Sequence, residues 1–368
     1  MSWTKIATLV IALALIVAGG VYAYRFYQAP EAVDVVTPKW ESSGHADTTS
    51  RSFTRWDNDD PSVIPVECAN CHSTYGYHDY LGADGSAYGE VETPPKTGGV
   101  LFCTTCHNSV GHTLKSVIFP GETEVVAEGW EANCMRCHQG RESTASVNAA
   151  LGDLEPDAVS AELGFISVHY RVAAATQQGS VTSVGYEYPG KIYAGRYPHT
   201  QDFNTCIECH DPHSTAIDPK ACAPCHANVV EYGDLYSIRD GKADYDGDGD
   251  IQEGIYKELQ VLHEALYAAI QAYAAETIGA PIVYSDSYPY WMNDTNGNGQ
   301  ADPDEVNRSN AYASWSPRLV RTIYTYTYIK ADPGAFAHNP SYAVQLVYDA
   351  LEDLNATTAT ALAGYTRP

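Results

Sequence analysis

The chain has 368 residues, a length that fits two or three ordinary domains. Its 46 acidic residues against 21 basic ones give a formal charge of −25. That balance excludes the basic footprint a nucleic-acid partner requires, and it suits solubility, cation binding and docking to basic partners.

Residues 6–24 form an uncharged, mostly apolar run between Lys5 and Arg25. As a helix it would span about 28 Å, close to the roughly 30 Å hydrocarbon core of a bilayer. Two readings of 1–28 stay open. Val21, Tyr22 and Ala23 offer a small-residue cleavage site, as in a secretory signal peptide. The length of the run favours an uncleaved signal anchor with Lys5 held inside. Both put the body of the chain outside the cytoplasmic membrane, in the periplasm or beyond. Residues 29–66 are polar and proline-punctuated and read as a linker.

Residues 67–231 carry one short pattern five times. The units are Cys68-Cys71-His72, Cys103-Cys106-His107, Cys134-Cys137-His138, Cys206-Cys209-His210 and Cys222-Cys225-His226. They consume all ten cysteines. Zinc sites do not require a histidine after every second cysteine, and a disulfide framework does not require this spacing. Covalent haem c requires both: two thiols add to the haem vinyl groups, and the adjacent imidazole ligates the iron. Five covalently bound haems are therefore expected. Porphyrin would take the place of much conventional core, leaving loops and short helices wrapped on it. Residues 154–163 read as a short helix, and 177–198 as a hairpin or ordered loop.

After residue 232 no cysteine remains and helical patterning appears. Leu259, Leu262, Leu266, Ile270 and Tyr273 recur at three- and four-residue steps, as do Tyr342, Leu346, Ala350 and Leu354. Asn339 is a natural N-cap before Pro340. Two acidic loops lie in this region, with one or two Ca²⁺ expected. Asp294, Asn296, Asn298, Gln300, Asp302 and Glu305 occupy the alternating and twelfth positions of a calcium loop, and Gly299 sits at the sharp turn. Ala301 departs from the larger apolar residue usual there. Asp244, Asp246, Asp248 and Asp250 form a second candidate. Its twelfth position is Ile255, so Glu253 or Glu258 must supply the missing carboxylate.

Each iron needs a second axial ligand. Methionine is scarce: Met135 lies inside a motif, leaving Met292. Histidine supply favours bis-histidine haems. His45, His169, His199, His213 and His338 are the expected distal ligands. His213 would join two haems, ligating one while His210 holds its neighbour. His169 lies in an apolar segment, His199 follows Pro198 in a rigid turn, and His338 precedes the final helix. His263 beside an apolar helix stripe reads as a core histidine, and His78 and His112 as surface histidines.

The stretches SGHADTTSRSFTRWDNDDPSVIPVECANCHS, CMRCHQGRESTASV, LGFISVHYRVAAAT, DYDGDGD…EG and WSPRLVRTIYTYTYIKADPGAFAHNPSYAVQLVYDALEDL resemble a family of exported multihaem c-type cytochromes. The resemblance implies distal ligation by His45, His169, His213 and His338. The AHNP-plus-helix ending is also similar to the C-terminal part of larger multihaem redox enzymes. The expected fold class is mainly α with extensive loops: a multihaem cytochrome c wrapped around a haem array, plus a helical C-terminal region, 232–368, bearing the calcium-type loops.

Saturated irons leave no position for a substrate, so electron transfer without catalytic residues is the expected role. Electrons would pass between membrane-side donors and periplasmic or extracellular acceptors. The partners would be redox proteins such as quinol dehydrogenases or other cytochromes, with the membrane engaged through the N-terminal helix. Self-assembly into a filament is compatible with five haems. The alternative is a multihaem reductase of nitrite, hydroxylamine or a sulfur oxyanion. It needs one open haem beside groups such as Arg141, Arg171, His112 or Tyr170. Pentahaem nitrite reductases usually carry Lys in place of the motif histidine at the active haem. All five motifs here keep His.

Overall fold

The computed structural model describes residues 33–127, 130–239, 241–357, 362 and 364–368. The apolar run at 6–24 lies outside them. Among the described residues, no helix is long and apolar enough to cross a membrane. Among the described residues loops make up the larger share, helices are the main regular structure, and the paired strands are two short hairpins.

Contacts divide the chain into two compact units. The first comprises the described residues up to Asn108 together with Cys209–Ile217. Here the stretch expected as a linker is folded. A helix covers 33–41, and Trp40 donates its indole N–H to the Leu101 carbonyl at 2.9 Å. The polar composition of 29–66 hid the few apolar residues that anchor it, such as Phe53 and Ile64. Ser73 ends the helix Val66–His72 and caps Thr74–Leu81, its hydroxyl accepting from Gly76 N. The two helices meet so closely that a Cβ at Gly76 would lie 2.5 Å from the Ala69 carbonyl oxygen. The buried Thr74 hydroxyl donates to Val100 O and accepts from Phe102 N, both at 2.9 Å. This fixes the strap leading into the helix Cys103–Cys106.

The second unit comprises Ser109–Glu208 and Asp218–Pro368. The boundary expected near 231 therefore does not divide the contacts. Nor is 109–208 short of conventional core. Val117, Phe119, Val147, Val168 and Val172 are buried in one apolar cluster with Leu262, Leu266, Tyr324 and Leu346. The long helices Ile255–Tyr273, Pro317–Ala331 and Pro340–Asn355 build that cluster. Every residue of the two expected apolar stripes is buried. Asn339 caps the final helix by accepting from Tyr342 N at 3.2 Å, with Pro340 in the first turn. Residues 154–163 form turns instead of a helix; Pro156 interrupts them, and its carbonyl accepts from Arg318 N at 2.9 Å. The 177–198 segment is an ordered loop, pinned where Gly179 packs 2.3 Å (as a Cβ) from Ala194 O.

Candidate functional site

None of the ten cysteines is in a disulfide. Among the described residues, the Asp, Glu, Cys and His groups that converge tightly enough to hold a metal ion are acidic, with no cysteine among them. Both observations go against the zinc and disulfide readings. The motifs instead share a helical-turn geometry. His107, His138 and His226 each donate their backbone N–H to the carbonyl of the first cysteine of their own motif, at 2.9, 3.0 and 2.9 Å. A turn of this kind sets cysteines three apart on one face, with the histidine following.

The motif imidazoles are oriented from behind. The Nδ1 atoms of His72, His138 and His210 face the carbonyl oxygens of Ser52 (2.8 Å), Arg171 (2.8 Å) and Thr215 (3.0 Å). Donation through Nδ1 fixes the tautomer and makes Nε2 the nitrogen that carries the ring's lone pair. Burial further favours neutral His138 by pushing its pKa down.

Two motif histidines face an expected distal ligand. The ring centres of His107 and His213 lie 6.2 Å apart with planes 3° from parallel. Those of His199 and His226 are also 6.2 Å apart, with planes 39° apart. A metal–imidazole bond of about 2.0 Å, plus about 1.1 Å from nitrogen to ring centre, sets two trans imidazoles about 6.2 Å apart. Both spacings therefore suit an iron between the rings. His213 is held by its own loop. Asp211 accepts from His213 N at 3.0 Å and Ser214 N at 2.9 Å, and pairs with Lys39 at 2.6 Å. The Lys39 ammonium and these amides keep the Asp211 carboxyl well below the usual range.

His338 sits in the second unit. Its Nδ1 lies 2.9 Å from both oxygens of buried Asp332. Burial opposes protonation of His338, but the Asp332 charge outweighs it and raises the pKa. His138 feels the charges of both Asp332 and His338. His169 is half-buried, not enclosed as its apolar setting suggested. It and His199 hold φ of 82° and 49°, left-handed backbone that costs a non-glycine residue and persists only where surroundings enforce it. His45 is half-buried, with its carbonyl accepting from Leu101 N at 3.1 Å.

The other candidates have structural roles. The His263 ring stacks on Tyr326 at 4.2 Å, and its Nε2 lies 2.9 Å from the Tyr326 carbonyl. Burial lowers its pKa to about 4. The Nε2 of His78 lies 2.6 Å from Thr104 O, and Met292 is fully buried in a hairpin strand. One contact had no sequence signal. Cys206, the first cysteine of the fourth motif, donates its thiol to Glu131 Oε1 at 3.9 Å, and Glu131 opens the helix Glu131–Cys137 that carries the third motif.

The acidic loops differ. Asp244, Asp246 and Glu258 converge, as do Asp246, Asp248 and Glu253. Glu258 is committed to the Arg239 guanidinium and Tyr245 N. Asp246 Oδ2 and Glu253 Oε1 are buried with no hydrogen-bond partner. Asp250 contributes at the loop's end, its Oδ1 accepting from Gln252 N at 2.9 Å. In the second loop the carboxylates are occupied: Asp294 accepts from Gly297 N and Gly299 N, Asp302 from the amides of Asn296 and Asn298, and Glu305 from Thr295. The Gln300 backbone N–H donates to Asn298 Oδ1 at 2.8 Å.

Five Cys-x-x-Cys-His units, two of them with a facing imidazole spaced for an iron, are the pattern of multihaem c-type cytochromes. In agreement, the chain is a distant relative of polyhaem c-type cytochromes from Geobacter sulfurreducens. It is 25% identical to the C-type polyheme cytochrome OmcC over 84% of its length, and 24% identical to OmcB over 83%. The chain spans less than half the length of either, 45% and 46%. No family model matches the chain. No solved structure matches it either.

Proposed function

We propose that the chain is a pentahaem electron-transfer protein whose irons are saturated by histidine pairs. The observation that carries this reading is the His107–His213 pair, whose 6.2 Å spacing and near-parallel planes suit an iron ligated on both faces. His199 with His226 is the second such pair, and His338 is the partner assigned to His138. His45 and His169 remain the other proposed distal ligands. Haem c supplies reversible one-electron chemistry; the chain sets its potential through ligands, hydrogen bonds and burial. The contact of Cys206 with Glu131, on the helix of the third motif, supports close approach of two haems.

The donors and acceptors proposed are redox proteins, quinol dehydrogenases or other cytochromes, meeting the chain outside the cytoplasmic membrane. Calcium is proposed at both acidic loops as a structural ion. The case is firmer at Asp244, Asp246 and Asp248, where Glu253 at the tenth loop position supplies the carboxylate that Ile255 cannot. An ion there would satisfy the two buried oxygens that lack partners.

Low-temperature EPR of the oxidised protein, with spins counted against haem, tests the main reading. The expected result is five low-spin ferric haems. A high-spin signal equal to one haem would overturn it and direct attention to a reductase with an open iron.

A further inference from the structure

His72, His138 and His210 present Nδ1 to uncharged backbone carbonyls. His338 presents Nδ1 to a carboxylate. Asp332 is only 3% exposed and is held in place by Gly334 N, 3.1 Å from Oδ1. The ring is fixed from its other side. A Cβ at Gly334 would lie 2.6 Å from His338 Cε1, so no other residue leaves space for the imidazole in this rotamer. Asp332, Gly334 and His338 thus form one turn between two long helices, with Nδ1 held on the carboxylate.

We infer that Asp332 is a potential-setting residue, holding the haem ligated by His138 and His338 at a lower reduction potential than a carbonyl-backed ligand would. This rests on the proposed ligation by His338. A carboxylate sharing the Nδ1 proton makes the imidazole a stronger donor, which stabilises ferric iron. The buried negative charge acts the same way, because ferric haem carries one more positive charge than ferrous and burial weakens screening. Both effects favour the oxidised state, so this haem accepts an electron after its carbonyl-backed neighbours.

The test is an EPR-monitored redox titration of Asp332→Asn in the full haem-loaded chain. Asn keeps the shape and an acceptor oxygen but loses the charge. One of five midpoints should rise by at least a tenfold change in the oxidised-to-reduced ratio, 59 mV for a one-electron couple. The other four should stay put, with five low-spin haems retained. An unmoved midpoint in a variant with five low-spin haems would overturn the inference while leaving the bis-histidine reading standing. If His338→Ala leaves all five haems low-spin, the ligation itself fails, and this inference with it. The native chain covers the case in which Asp332→Asn does not assemble. The low-spin signal that is lost in His338→Ala should, in the native chain, titrate at one of the two lowest of the five midpoints; a place among the three higher ones would also overturn the inference.

Discussion

His213→Ala is the sharpest perturbation of the proposed ligation. The imidazole faces His107 at 6.2 Å, and its loop is fixed by Asp211, itself tied to Lys39. Truncation removes the ring and leaves those backbone contacts in place, so the fold should tolerate it; a half-exposed side chain of this kind typically costs about 1 kcal/mol or less. The spectroscopic effect should be large. One iron in five loses its sixth ligand, so a fifth of the ferric spin should move from low-spin to high-spin. The vacancy should bind added imidazole and return to low-spin. Spin-quantified EPR, with haem content measured by pyridine haemochrome, reads both changes. His78→Ala is the control, because that ring faces the Thr104 carbonyl at 2.6 Å and should change no haem. Five low-spin haems in the His213 variant would refute the assignment and show that ring spacing alone misidentifies ligands.

Chelation by EGTA should lower the melting temperature while haem stoichiometry stays at five, and Glu253→Gln should reproduce most of that loss at the first acidic loop. Finding no bound calcium and no change in melting would reduce both loops to solvated turns. The depressed pKa of His263, about 4 in the folded state, means the native protein binds fewer protons there than the unfolded chain. Its contribution is intact above about pH 6.5 and is lost as pH falls towards 4, by at most about 3 kcal/mol. His263→Gln should flatten that segment of the stability–pH curve, and an unchanged curve would assign the acid loss elsewhere. Arg318 donates to Asp157 Oδ1 at 2.7 Å and to the Asp353 carbonyl at 2.6 Å, at the start of a long helix. Arg318→Met should cost about 2–3 kcal/mol by leaving those partly buried acids uncompensated, read as a fall in denaturation midpoint.

The stripes of the helices Ile255–Tyr273 and Pro340–Asn355 were legible because burial imposes a 3.6-residue period on local sequence. The haem-attachment turns were legible because covalent chemistry fixes their spacing. What escaped was long-range. Nothing local to Trp40 announces its bond to Leu101, so 29–66 read as a linker. Nothing in 116–186 announces that its valines share a core with the C-terminal helices. The pairing of His107 with His213 depends on a fold that brings distant loops together. The acidic loop at 244–250 stands out in the sequence by its aspartates, while the preference for Glu253 over Glu258 in the proposed calcium site depends on Arg239, which claims Glu258.

The contact of Cys206 with Glu131, on the helix that carries Cys134, bears on how such a chain is made. In an oxidising compartment, thiols of two neighbouring motifs are candidates for oxidation to each other, and such a bond would remove one attachment point from each of two cofactors. Each thioether formed in time abolishes the hazard for both. Haem loading ahead of folding in this region would avoid that hazard, and the compact state would then be the end point of biogenesis and not its template.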